Sequence, residues 1–277
     1  MKISIITPVY NNKHTIEKTI KSVLSQKSSD VEYIVVDGNS TDGTLDVIKK
    51  YSENIDLIIS EKDKGISDAY NKGISKANGD LIGIVAADDQ LIGGTIEIIQ
   101  REYDGISDVF SGHVIEYDGK RYLKRKSFEN LELLRQMTSI EHPATFIRKD
   151  AYEHFGKYSL EYKCAIDREL LLRFFVLGAK FQIVDHFFSF MLGGGISTDD
   201  PTKYAFPEDR LISIKYGMSE AEAEIIFRRA CRRYRMQKCI KGVLDLFHVR
   251  WLLLSYMRAK GNYLSNKEII ELKNKTF

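Results

Sequence analysis

Ile82-Gly83-Ile84-Val85-Ala86-Ala87-Asp88-Asp89 is an apolar run that ends abruptly on two adjacent carboxylates. Bounded by Gly79-Asp80 before it and polar residues after it, the run reads as a buried strand of a parallel sheet. In an open α/β sheet, ligands bind just beyond the carboxyl ends of the strands. Two acids side by side in a partly desolvated cleft repel each other. A divalent cation, which prefers oxygen ligands, removes that cost. Asp88 and Asp89 are therefore candidate ligands of a metal that itself holds a phosphate. The competing reading is a helix N-cap, because Asp is favoured there and Thr95–Arg101 has a helical pattern. Taken alone, the cap is the commoner use of such residues, so the rest of the chain has to decide.

Upstream, strand and helix signals alternate. Ile3-Ser4-Ile5-Ile6 is β-rich, and Pro8 is expected to end that strand by removing a donor. Thr15–Gln26 carries Ile16, Ile20, Val23 and Leu24 at helical spacing. Tyr33-Ile34-Val35-Val36 is a second buried strand ending in Asp37, and Gly38–Gly43 is turn chemistry. A helix over Thr44–Tyr51, a strand at Leu57–Ile59, a helix over Ile66–Ala77 and the strand at Ile82–Ala86 complete the series. This β-α-β-α-β-α-β order predicts a mostly parallel sheet covered on both faces. Asp37 sits where a nucleotide-binding sheet takes a ribose hydroxyl or a base N–H, or else where an Asx turn forms. The first strand is followed by no glycine-rich dinucleotide fingerprint, and the chain has no Walker-type Gly-Lys-Ser/Thr. A dehydrogenase and an ordinary NTPase are thereby disfavoured.

Downstream the periodicity changes. Asp108–Tyr117 and Lys120–Lys126 flank Asp118-Gly119, a hairpin signal, so antiparallel strands are expected here. Leu131–Met137 reads as a short helix. His142 stands just before a strand, and a hydrogen-bonded structural imidazole is its plainer reading. Asp167 falls in the first turn of a helix, where it either complements the helix dipole or serves as a general base. Phe181–Val184 and Phe187–Leu192 read as two strands. Gly193–Ser197 then offers either exposed backbone N–H groups for a phosphate or a closing lid.

Composition bounds these readings. Of 277 residues, 43% are hydrophobic and 29% charged, an ordinary globular balance. Met1–Ile6 runs directly into the first strand without a signal-like segment, which leads us to expect a cytoplasmic protein. The three cysteines lack zinc spacing and read as reduced thiols. The formal charge of +2 conceals an asymmetry: Arg210–Phe277 holds 15 Lys/Arg against 6 Asp/Glu, a net +9. An acidic body with a basic tail suits an anionic partner surface.

In this order the motifs resemble those of the family 2 inverting glycosyltransferases. The stretches that carry the resemblance are Ile5–Asn11, Val35–Thr44, Glu61–Gly73 and Ala87-Asp88-Asp89, with His142-Pro143 and Asp167 further on. They cover roughly the first 200 residues. The resemblance implies the GT-A nucleotide-diphospho-sugar transferase fold: an α/β domain with a mostly parallel central sheet, an antiparallel extension and a helical C-terminal region. It implies a catalytic domain over 1–205 and a basic helical extension over 206–277. It implies transfer from a nucleoside-diphosphate sugar, UDP-linked, to a sugar hydroxyl of a polysaccharide growing on a lipid-diphosphate carrier, with Mn or Mg as cofactor. On the donor side it implies roles for Thr7, Pro8, Tyr10, Asp37, Lys64, Asp68, Asn71 and Asp88, and it places His142 on an acceptor-side segment. Asp89 becomes the direct metal ligand, assisted by Asp88, and Asp167 the catalytic base. Two departures stand out: Gln90 follows the acidic pair where a third acid is absent, and Ile166 rather than an acid precedes Asp167.

The tail patterns as two basic amphipathic helices, Glu220–Met236 and Ile240–Ala259. Such helices lie on an anionic membrane or pack their apolar stripes on the catalytic domain; both readings stand. No nucleic-acid-binding module is recognisable in the tail. A homo-oligomer remains open. Two rival functions remain on the sequence, a sugar-1-phosphate nucleotidyltransferase and a non-catalytic sugar-nucleotide-binding assembly protein. The first should show a glycine-rich basic loop after the first strand, which Thr7–Thr15 lacks.

Overall fold

A computed structural model describes residues 1–193, 200–246 and 262–276. Among the described residues nine strands form one sheet: β1 (Ile3–Val9), β2 (Val31–Asp37), β3 (Leu57–Ser60), β4 (Leu81–Ile84), β5 (Gln90–Leu91), β6 (Val109–Tyr117), β7 (Tyr122–Arg125), β8 (Thr145–Arg148) and β9 (Phe181–Leu192). Their spatial order is β3-β2-β1-β4-β8-β6-β9-β5, with β7 also paired to β6. The first four strands are mutually parallel, as the alternation requires, and β8 joins β4 antiparallel. The reversal comes where the sequence loses its βα rhythm. β6 and β7 form the expected hairpin around Asp118-Gly119, with Gly119 at a positive φ of 85°.

Each central strand feeds two cores with period two. Ile6, Ile34, Val36, Ile82 and Ile84 face the helices α3 (Ile66–Lys76), α5 (Lys149–Phe155) and α6 (Ile166–Val176). Ile3, Ile5, Tyr33, Val35 and Leu81 face α1 (Ile16–Leu24), α2 (Thr44–Lys49) and α4 (Thr95–Glu102). Because both faces are covered, hydrophobic burial forces these strands to be apolar throughout. Gly83 is needed at the centre: a Cβ there would stand 2.4 Å from the Phe146 ring of β8.

Several sequence expectations change. Pro8 does not end β1, which pairs with β2 as far as Val9↔Asp37. Successive residues of a strand point to opposite neighbours. Val9 accepts from Gly38 on the β2 side, whereas Ile6 accepts from Val85 on the β4 side. The missing N–H of Pro8 therefore faces the β4 side, where strand pairing has stopped at Ile6↔Ile84, and no ladder bond is lost. Phe181–Leu192 is a single strand along β6, with register shifts near His113 in place of a break. Leu131–Arg135 is a turn of 3₁₀ helix.

After α7 (Ala205–Lys215), the chain forms one continuous helix, α8 (Glu220–Leu246), where the sequence suggests a break near 236–240. The remainder of the second expected helix, 247–259, lies outside the described residues, as does the 194–197 part of the glycine loop. Ile212 of α7 enters the α3–α6 core. Leu272 of α9 (Asn266–Thr276) and Leu264 just before it pack with Ile115 and Phe190. Among the described residues, no helix is long and apolar enough to cross a membrane.

Candidate active site

The rim at the carboxyl ends of β1, β2 and β4 is built from three knitted loops. Asn11, at φ 49°, accepts the Thr41 N–H on its side-chain oxygen (2.8 Å), and the Asn11 N–H donates to Ser40 Oγ (2.8 Å). The Asn12 N–H donates to Thr44 Oγ1 (2.8 Å) and the Lys13 N–H to Asp42 (3.1 Å). Asp42 also accepts the Thr44 hydroxyl and N–H, and this holds its carboxyl down at about 2. Asn11 and Asn39 take left-handed backbone conformations that Asn tolerates better than most residues. At the end of β2, Asp37 is fully buried and accepts from Ser60 Oγ (2.7 Å) and the Ser40 N–H (3.2 Å). Tyr10 stands out from the rim, 63% exposed, beside Gly38.

The acidic pair is held by a device that hydropathy does not reveal. Thr15, Thr19, Ser22 and Gln26 line one polar side of α1 and its flanks. Thr15 Oγ1 donates to the Ala87 carbonyl (2.8 Å) and Thr19 Oγ1 to the Asp89 carbonyl (2.6 Å). Ser22 Oγ accepts the Leu91 N–H (3.1 Å), and Gln26 Nε2 donates to the Ile92 carbonyl (3.2 Å). The 86–92 loop is thus fixed by side chains at spacings of three and four. The apolar pattern of α1 predicts only the neighbouring face, about 100° round the helix.

Asp89 is 5% exposed, and Asp88 is half-buried. Burial raises the carboxyl of Asp89 well above its ordinary value, and the negative charges of Asp88 and Asp167 raise it further. Burial likewise raises Asp88. The buried Tyr70 of α3 lies within electrostatic range of Asp167, Asp89 and Asp88, and their charges add to the effect of burial in raising its phenol. β1 separates β2 and β4, so the ends of those two strands stand about two strand spacings, roughly 10 Å, apart along the same rim.

Asp167 and His142, 25 positions apart in sequence, meet across the cleft, with Nε2 3.6 Å from Oδ1. His142 Nε2 is hydrogen-bonded to the Tyr158 hydroxyl at 2.5 Å, and its ring stacks on Tyr70 at 5.8 Å. The Asp167 carboxyl is divided. Oδ1 is buried and without a hydrogen bond, yet a third of the side chain is exposed. Burial raises its proton affinity, and the neighbouring His142 opposes that rise. Tyr70, Tyr158 and the adjoining Glu141 are residues that the sequence reading leaves out of the site. Glu141 is pushed up to about 7 by burial, while Arg125 pulls it down and Glu116 and Asp167 push it up. An acid directly before an imidazole and a strand is the one local signal that marks it.

The remaining expected residues are spread differently. Thr7 is buried within β1, and its hydroxyl accepts from Tyr33 (3.1 Å), so it supports the rim from beneath. Pro8 is buried beside it. Asn71 spends both ends of its amide on Tyr158, donating to the carbonyl (2.8 Å) and accepting the N–H (3.0 Å). It thereby positions the tyrosine that touches His142. Lys64 is exposed, and its backbone N–H donates to Asp68, which also pairs with Lys72 at 3.5 Å.

Among the described residues, no three His, Cys, Asp or Glu side chains gather into a set able to hold an ion alone. Two desolvated carboxylates whose charges oppose each other still fit a hard divalent cation, provided the other oxygens come from a ligand's phosphates, the usual arrangement for Mg²⁺.

Comparison with known proteins gives a consistent answer. The model of the family described as "Glycosyl transferase family 2" matches residues 4–170. A β-1,3-glucosyltransferase of Campylobacter jejuni that acts on GalNAc(5)-diNAcBac-PP-undecaprenol is 32% identical over 43% of this chain, which spans 40% of that protein. A PGL/p-HBAD biosynthesis glycosyltransferase of Mycobacterium bovis is 29% identical over 62% of the chain and 69% of its own length. Staphylococcus aureus TarS in complex with UDP-GlcNAc superposes with a TM-score of 0.60 at 19% identity, over 82% of this chain and 70% of that one. A Pyrobaculum calidifontis mannosyltransferase bound to GDP-Man and Mn²⁺ gives 0.60 at 16%, over 82% and 68%. At such identities the superpositions speak for the GT-A fold alone. The family model, which spans the rim loops, the acidic pair and Asp167, makes this chain a member of glycosyl transferase family 2.

Proposed function

We propose that the protein is an inverting glycosyltransferase moving a sugar from a nucleoside-diphosphate donor, UDP-linked, to a hydroxyl of a lipid-diphosphate-linked saccharide. The observation that carries this reading is the contact of His142 with Asp167, Nε2 to Oδ1 at 3.6 Å, beside Tyr70, with the desolvated Asp88 and Asp89 beyond the end of β4 within electrostatic range of that phenol. The donor class is supported by the nucleotide-sugars bound to TarS and the mannosyltransferase. The acceptor class is supported by the Campylobacter relative's undecaprenol-diphosphate substrate.

Transfer requires the nucleoside diphosphate to leave while an acceptor hydroxyl attacks the anomeric carbon from the opposite side. Asp89, with Asp88, would hold Mn or Mg, which supplies neutralisation of the charge growing on the leaving β-phosphate. Tyr10 offers an exposed ring beside Gly38 for the base. Asp167 receives the acceptor proton on its open side. Its buried, unsolvated Oδ1 keeps its basicity above that of a surface carboxylate, which suits a general base. A single displacement inverts the anomeric centre.

The test is a donor screen by thermal shift, with and without Mn²⁺, followed by transfer assays on lipid-linked saccharides. Asp167→Asn should retain the nucleotide-dependent shift and lose transfer. Asp89→Ala should lose the metal-dependent part of the shift. Undiminished transfer by Asp167→Asn would sink the assignment, as would retention of the donor's anomeric configuration in the product.

A further inference from the structure

The helix α8 turns two unlike faces outward and inward. At 100° per residue, Ala223, Phe227, Ala230, Cys231 and Tyr234 share one side. Of these Ala223 and Cys231 are buried, and Tyr234 meets Phe206 of α7 edge-to-face at 6.4 Å. The opposite side carries Ile225, Arg229, Arg232, Met236, Ile240 and Val243 in one line. Its four apolar members are 45–55% exposed, and both arginines are exposed. Single exposed apolar side chains are ordinary. Four aligned along about 27 Å of helix, interleaved with cations, are a designed surface.

The charge on this part of the helix is of one sign. Residues 228–241 hold seven Lys/Arg and no Asp or Glu. We infer that this outward face of α8 docks on an anionic phospholipid surface, its apolar residues entering the headgroup–acyl boundary while the flanking arginines meet phosphate. That combination is what an interfacial helix requires. A second copy of the chain is a poorer occupant, because a two-fold contact would set the same positive stripe against itself. A nucleic-acid backbone would satisfy the arginines and leave the apolar line without a partner. The inference is independent of the transferase reading: it concerns a surface on α8, far along the chain from the rim carboxylates, and its readout needs no donor.

The experiment is co-sedimentation of the full chain with vesicles of phosphatidylcholine alone or with phosphatidylglycerol added, at low and high salt. Binding is expected only to the anionic vesicles, and it should weaken with salt. At about fivefold per basic residue near the surface, R229E/R232E should lower the affinity by at least about 25-fold. M236S/I240S should lower it several-fold at every salt concentration. Both variants lie on the solvent side of α8, so unchanged thermal melting serves as the folding control. Equal binding to neutral vesicles, no binding at all, or undiminished binding by R229E/R232E overturns the inference. So does a dimer that M236S/I240S converts to monomer, or full displacement of vesicles by duplex DNA.

Discussion

Asp167 shows how one side chain acquires its role from its surroundings. The same carboxylate in the first turn of an exposed helix would merely complement the dipole. Here one of its oxygens is buried without a donor and the His142 ring stands 3.6 Å away. Asp167→Asn should lower kcat by about 10²–10⁴-fold, the usual contribution of a positioned base, with KM for the donor little changed; steady-state kinetics with varied donor checks this. Glu141 yields a prediction in pH. Its carboxyl titrates near 7 in the folded chain against an ordinary value of 4.5. Between those values the folded state binds more protons than the unfolded state, so this group's contribution to stability falls as pH rises through that window and is flat above it. Glu141→Gln should therefore stabilise the protein at pH 8, by on the order of 1–2 kcal/mol after allowance for partial solvent access, and do little at pH 5. Thermal melts of both proteins at the two pH values decide it; equal gains at both would refute the assigned burial cost.

At the level of elements, α1 is a two-sided part. Ile16, Ile20 and Val23 fix it to the sheet, and the hydroxyls on the adjacent face fix the loop that carries Asp88 and Asp89. Thr19→Val keeps the volume and removes the hydrogen bond to the Asp89 carbonyl. It should cost about 1–3 kcal/mol, since a buried acceptor is left unsatisfied. It should also weaken Mn²⁺-dependent nucleotide binding several-fold, because Asp89 loses its backbone anchor. Titration of the thermal shift with Mn²⁺ separates these effects: a stability loss with unaltered metal dependence would show that the hydroxyl only supports the loop. In the central strand β4, Gly83→Ala drives a methyl into the Phe146 ring. Overpacking there should cost about 1–3 kcal/mol, read from chemical denaturation.

Across the whole molecule, α6 is tied to its neighbours by Arg168, which is fully buried beside Asp167. Its guanidinium donates to the carbonyls of Leu134, Arg135 and Asp209, to Asp209 Oδ1 at 3.1 Å and to Ser213 Oγ at 2.7 Å. One side chain thus joins α6, the Leu131–Arg135 turn and α7. Arg168→Leu leaves the Asp209 carboxylate and the Leu134 carbonyl without their partner and should cost about 3–5 kcal/mol, or roughly 10 °C in Tm. A variant melting within a degree or two of the parent would show the knot to be dispensable.

The strand–helix alternation, the parallel sheet and the place of the carboxylates at its rim are legible in the chain itself. Side-chain hydropathy repeats with the period of each element, and a buried parallel strand has to be apolar along its length. That Pro8 interrupts nothing, that Thr19 grips the backbone of Asp89 seventy positions away, and that His142 meets Asp167 were decided only by the tertiary structure. These outcomes depend on which edge of β1 lacks a partner and on how the crossovers bring distant loops together. A polar residue's local pattern says that it avoids the core, and only the assembled sheet determines which backbone atom or carboxylate it meets.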